Sequence, residues 1–132
     1  HFLDHWTRCN PPPGEISIAF LDDREMATLH KRYLGDPTPT DVITFPGDRE
    51  TEFAGEICVS VDQAAQASVK RDTTFAHELA LYVVHGWLHL CGFDDIQCDD
   101  RRRMRAAENE ILAYLAKTER IPRFTLLRRE HE

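Results

Sequence analysis

His85-Gly86-Trp87-Leu88-His89-Leu90-Cys91-Gly92-Phe93-Asp94-Asp95 combines two histidines, a glycine stop and two carboxylates within eleven residues. Two histidines four residues apart on a helix project from one face, a turn apart, at the spacing that lets both bind one metal ion. Gly92, three residues after the second histidine, is a natural helix stop, because it can adopt the left-handed conformation that reverses the chain. Asp94 and Asp95 follow at once, so a carboxylate can return to an ion held by His85 and His89. Three protein ligands with a fourth position left to water describe a catalytic zinc site rather than a closed structural one. A lone histidine pair on an apolar helix is as readily scaffold as ligand. The helix stop and the carboxylates at the right offset favour the ligand.

The histidines close a longer helix, expected from Thr73 or Thr74 to Cys91. It is apolar on most of its circumference, through Ala76, Leu79, Ala80, Leu81, Val83, Val84, Trp87, Leu88 and Leu90. Such a helix is the central, buried one. Imidazoles in its last turns are polar groups in apolar surroundings and need a partner such as a metal. Glu78, two turns before His85 on the same face, is placed to orient a ligand or to pair with a nearby arginine.

Around that helix the chain reads as a small sheet with helices laid against it. Glu15 to Leu21 alternates as a strand with one buried face. Asp22 or Asp23 caps a helix to about Tyr33, with Met26, Leu29 and Tyr33 as a core stripe. Thr40 to Pro46 reads as a strand closed by proline, Asp48 to Phe53 as a charged loop, and Ala54 to Val61 as a second hydrophobic strand. Asp62 is expected to cap a helix through Val69. Asp99 or Asp100 starts a last helix with Met104, Ala107, Ile111, Leu112 and Leu115 on its apolar face. Residues 1–14, with Pro11-Pro12-Pro13, read as a lead-in, and residues 120–132 as a mobile tail.

The 132 residues suit one domain, and 42% hydrophobic with 30% charged content is ordinary for a soluble globular protein. The longest apolar run, Leu79 to Val84, is far short of a membrane span, so no membrane partner and a cytoplasmic location are expected. The four cysteines form no CxxC pair or paired framework, which fits buried thiols in a reducing compartment. A net charge of -7 argues against nucleic acid, and no DNA partner is expected. The charge is uneven, however. Residues 101–132 carry nine Arg or Lys against five Glu, or +4, which leaves -11 in residues 1–100. Arg101, Arg102, Arg103 and Arg105 crowd the first turn of the last helix, where the dipole prefers acids, so they ask for an anionic partner.

The stretch HGWLHLCGFDD resembles the HGxLHLxGYDH signature of the YbeY endoribonucleases, and PTDVITFP, Pro39 to Pro46, resembles their PTDVLSFP. Gly55-Glu56-Ile57 and Glu78 match further elements, in register from about Glu15 to Glu110. The resemblance implies a zincin-like α+β single domain, a small mixed sheet packed around a buried metal-bearing helix, with one zinc ion. It also implies endoribonuclease activity on single-stranded RNA, in ribosomal RNA maturation and ribosome quality control, with precursor RNA and ribosomal proteins as partners. The chain departs from the family twice. The third zinc histidine falls at Asp95, and the arginine that usually follows the tyrosine of a YRG element falls at Leu34.

The expected ligands are therefore His85, His89 and Asp95, with Glu78 and Asp94 as candidates for acid, base or orienting roles. Arg101, Arg102, Arg103, Arg105 and Arg32 are the expected RNA contacts, Arg32 or Lys31 standing in for the arginine missing at position 34. The rivals are a metzincin-like zinc peptidase and a non-catalytic RNA- or ribosome-binding module with a structural metal. A two-histidine, one-carboxylate iron oxygenase fits the ligand types but not the usual motif order. Peptidases of the HExxH type use a glutamate after the first histidine as general base, and here that position is Gly86.

Overall fold

The computed structural model describes residues 14–38, 40–93 and 96–117. The lead-in before Gly14, the Asp94 and Asp95 positions and the tail over 120–132 lie outside the described residues. In chain order the elements are β1 (Glu15–Leu21), α1 (Asp23–Leu34), β2 (Val42–Asp48), a 3-10 turn (Arg49–Thr51), β3 (Phe53–Ser60), α2 (Val61–Arg71), α3 (Phe75–Leu90) and α4 (Cys98–Lys117). They form a small α+β domain with a mixed three-stranded sheet ordered β1-β3-β2. β3 pairs parallel with β1 and antiparallel with β2.

Because side chains alternate along a strand, the central β3 serves two layers. Ile57 and Val59 pack with Ala64, Leu79 and Tyr82 of α2 and α3. Cys58, on the opposite face, packs with Met26 of α1 and Ile43 of β2. α4 then closes over the outer side of α3, where Ala80, Val84 and Leu88 meet Met104, Ala107 and Leu112. α3 is thus covered on two sides, as its near-uniform apolarity requires. Each large side chain buried this way contributes about 1.5–3 kcal/mol.

The ends of α3 are fixed by local chemistry. Thr74 accepts the backbone N–H of His77 at 3.0 Å and caps the start. At the other end Gly92 takes φ 100° and donates its N–H to the His89 carbonyl, while Phe93 N–H reaches the Leu88 carbonyl at 2.9 Å. This paired reversal satisfies the orphan carbonyls of the last turn, and Phe93 packs into the cluster holding Leu88. Gly86 makes the close approach to the sheet possible, since a Cβ there would lie 2.5 Å from Ile57 Cγ2.

Several sequence expectations shift. β2 runs on through Pro46 to Asp48, because β2 is an edge strand and can spare the missing N–H. The expected loop after it includes the 3-10 turn Arg49–Thr51. Ser60, not Asp62, caps α2, accepting the Gln63 N–H at 3.0 Å. Asp62 instead accepts the Asp23 N–H at 2.7 Å, tying the start of α2 to that of α1. Met26 is core and Leu29 packs beside it, but Tyr33 is 55% exposed and stands edge-on to Phe45. Among the described cysteines, Cys58 and Cys91 are buried thiols and Cys98 is exposed. No described helix is long and apolar enough to cross a membrane.

Candidate metal centre

His85 and His89 occupy successive turns of α3, and their Nε2 atoms converge to 3.1 Å with the rings nearly perpendicular. Two nitrogens about 2.1 Å from one zinc ion at the tetrahedral angle lie about 3.4 Å apart, so the pair is close to chelating geometry as it stands. The other nitrogen of His85 is also engaged. Its Nδ1 lies 2.8 Å from Glu108 Oε1, contributed by α4. A carboxylate accepts, so Nδ1 carries the proton and Nε2 keeps its lone pair, which is the tautomer a metal ligand needs. Glu108 is itself largely buried, its side chain 13% exposed.

The donor set therefore fits a divalent metal at two positions. Among the described residues no group of three His, Cys, Asp or Glu is placed to hold one metal ion. The expected third ligand, Asp95, and its neighbour Asp94 lie outside the described residues. The turn at Gly92 and Phe93 immediately precedes them in the chain.

Two clefts meet at His85. The smaller, of about 370 Å³, lies between α1, β2 and α3, and His30, Leu34, Asp41, Thr44, His85 and His89 are among its walls. The larger, of about 620 Å³, runs between α3 and α4 and is lined by Arg71, Glu78, Tyr82, Arg101, Arg105 and Glu108 among others. Asp41 borders both. Burial, reinforced by the Asp41 and Glu78 carboxylates, pushes the Tyr82 phenol up, so it stays a neutral hydroxyl in the wall.

Glu78 is almost fully buried and lies 3.4 Å from Arg71 and 4.0 Å from His77. Its arginine pairing is the second of the two roles open to it from sequence. The arginines of α4 divide. Arg101 and Arg105, four apart, line the larger cleft, whereas Arg102 and Arg103 pair with Asp99 at 2.7 Å and Asp100 at 2.6 Å. Those acids stand where the helix dipole favours them and offset the arginines that follow. Arg32 is exposed, its guanidinium 5.6 Å over the Tyr33 ring, and α1 sends His30 and Leu34 to the cleft wall instead.

Glu108, His30, Asp41 and Arg71 were not singled out by sequence. Glu108 had a signal. It falls between Met104, Ala107 and Ile111 on the apolar face of α4, where a carboxylate needs a partner. Gly86 gains a physical meaning, for its Cβ position is filled by Ile57, Thr44 and Val42. A glutamate after the first histidine would be driven into the sheet.

The model of the family described as Endoribonuclease YbeY matches residues 3–116. A relative named Endoribonuclease YbeY from Corynebacterium jeikeium (strain K411) is 37% identical over 121 residues, covering 82% of this chain and 66% of that protein. One of the same name from Protochlamydia amoebophila (strain UWE25) is 37% identical, covering 80% of this chain and 73% of that protein. Among solved structures, the solution structure of TM1509 from Thermotoga maritima matches with a TM-score of 0.54 at 22% identity, over 87% of this chain and 79% of that one, a likeness of fold. The chain belongs to the endoribonuclease YbeY family.

Proposed function

We propose that this chain is a metal-dependent endoribonuclease that cuts single-stranded RNA in the cytoplasm, acting in ribosomal RNA maturation and ribosome quality control in contact with ribosomal proteins. The observation that carries the metal reading is the Nε2 pair of His85 and His89 at 3.1 Å, with Glu108 holding His85 from behind. His85, His89 and Asp95 would hold one zinc ion, which bound there supplies positive charge to a phosphoryl oxygen. The chain's own groups do the rest. Glu108 keeps the His85 lone pair aimed forward. Arg71, Arg101 and Arg105 offer fixed positive charge to phosphates entering along the larger cleft, with Glu78 holding Arg71. Asp94, beside the ligand position, is the candidate proton acceptor.

Elemental analysis of the purified protein, with a gel of single-stranded RNA incubated with and without a chelator, tests this. Zinc near one per chain and chelator-sensitive cleavage are expected. Intact RNA with fully metallated protein, over several salts and pH values, would sink the reading and favour a binding module with a structural metal. Casein is the control for peptidase activity, which the packing around Gly86 disfavours. Asp95→Ala should lose metal, whereas Asp95→His should keep it. Unchanged zinc affinity in Asp95→Ala would move the third ligand to Asp94 or elsewhere.

A further inference from the structure

The α1 wall of the smaller cleft carries an imidazole that the metal pair does not use. His30 lies one turn before the end of α1 and lines the cleft with His85 and His89, its side chain 15% exposed. Its Nδ1 lies 2.8 Å from the Thr38 carbonyl oxygen. A carbonyl only accepts, so Nδ1 carries a proton, and in the neutral form of such a ring the second nitrogen is an acceptor. The loop holding that carbonyl is itself fixed. Asp36, 3.9 Å from Nδ1, accepts the Thr38 amide at 2.9 Å and its hydroxyl at 2.6 Å. The ring is thus anchored at Nδ1 in the cleft wall, which leaves Nε2 as its remaining polar atom.

We propose that His30 Nε2 accepts a hydrogen bond from a ribose 2′-hydroxyl of RNA bound in this cleft and so selects RNA over DNA; the proposal rests on the RNA-cleaving reading above. Phosphate and ring oxygens of a nucleic-acid backbone only accept. The backbone group that donates is the 2′-hydroxyl, which DNA lacks. Asp41 is the other strong acceptor on these walls, but its Oδ1 already takes the Val42 amide and the Thr40 hydroxyl. Its negative charge also repels the phosphates on either side of any ribose. A neutral imidazole carries no such penalty.

The test is stopped-flow binding of one single-stranded decamer as RNA, as DNA and as 2′-fluoro RNA, to zinc-loaded protein before cleavage develops. The parent should prefer RNA over both analogues by about two- to tenfold, the ratio one hydrogen bond supplies. His30→Phe should abolish that preference with DNA affinity and zinc content unchanged, and His30→Gln, which keeps an acceptor, should restore part of it. A preference that survives His30→Phe overturns the proposal, as does an equal loss of affinity for RNA and DNA. Should His30→Phe not fold, histidine ¹⁵N spectra of the parent decide. A His30 Nε2 shift with an RNA dinucleotide but not its DNA counterpart supports the proposal, and equal shifts overturn it. A parent that prefers RNA but cuts none would fail the proposed function while leaving this selectivity standing.

Discussion

At the scale of single residues, the pairing of His85 with Glu108 decides whether α3 holds a metal or only a polar pair. A histidine that offers one nitrogen to an ion gains from a partner fixing the other, and removing such a partner typically costs 10–100-fold in metal affinity. Glu108→Ala should therefore weaken zinc binding by about that factor in a competition titration with a chromogenic chelator, while the far-ultraviolet spectrum holds. Undiminished affinity would leave Glu108 as packing alone. The two histidines were legible in sequence because four residues is the helical repeat, and the pairing of His85 with Glu108 was not, because the carboxylate arrives from 23 residues away. Cys58 sets a second expectation. Burial, helped by the Glu56 carboxylate nearby, pushes its thiol up to about 12 from 9.0. A folded-state value raised above the unfolded one gives stability present below pH 9 and lost as the pH rises toward 12. Denaturant unfolding should show stability falling from pH 8 to pH 10.5, with a flatter fall in Cys58→Ala. In the native protein at pH 8, alkylation and peptide mapping should find Cys98 modified and Cys58 spared.

Among the elements, α3 is the most constrained, and its glycine is the place to measure this. Gly86→Ala should raise helix propensity by up to about 1 kcal/mol. The added Cβ meets Ile57 Cγ2 at 2.5 Å, an overpacking whose usual cost is about 1–3 kcal/mol. The denaturation midpoint should therefore fall, and a rise would show that the sheet gives way easily. Ser60 is the matching test for α2. It is fully buried, caps the helix and donates its hydroxyl to Asp23 Oδ1 at 3.3 Å, so Ser60→Ala should cost about 1–2 kcal/mol in the same measurement. Element types were readable because alternation and helical periodicity are local. The caps were less so. Ser60 and Asp62 are both good N-cap residues, and the choice was made by tertiary structure, since the Asp62 carboxylate is drawn to the Asp23 N–H across the α1–α2 contact.

For the whole molecule, the proposed function asks how a chain of net charge -7 would hold a polyanion. Composition alone argued against it, and the uneven distribution, -11 over residues 1–100 against +4 over 101–132, reopened the case. The fold sharpens that answer beyond what sequence could, because it separates arginines that are neighbours in the chain. Arg102 and Arg103 are paired on the outer side of α4, whereas Arg101 and Arg105 share the larger cleft with Arg71, which arrives from the end of α2. Phosphate contacts release counterions, and for single strands the logarithmic salt slope changes by about 0.7 per contact. Replacing Arg71, Arg101 and Arg105 with glutamine should weaken binding to every single-stranded RNA alike and flatten the slope by up to about 2. The double change Arg102→Gln and Arg103→Gln should leave the slope near that of the parent, because those guanidinium groups already face Asp99 and Asp100. Equal effects of the two sets would mean that RNA reads the net charge of α4 rather than this cleft, and an unchanged slope in both would remove α4 from the RNA path.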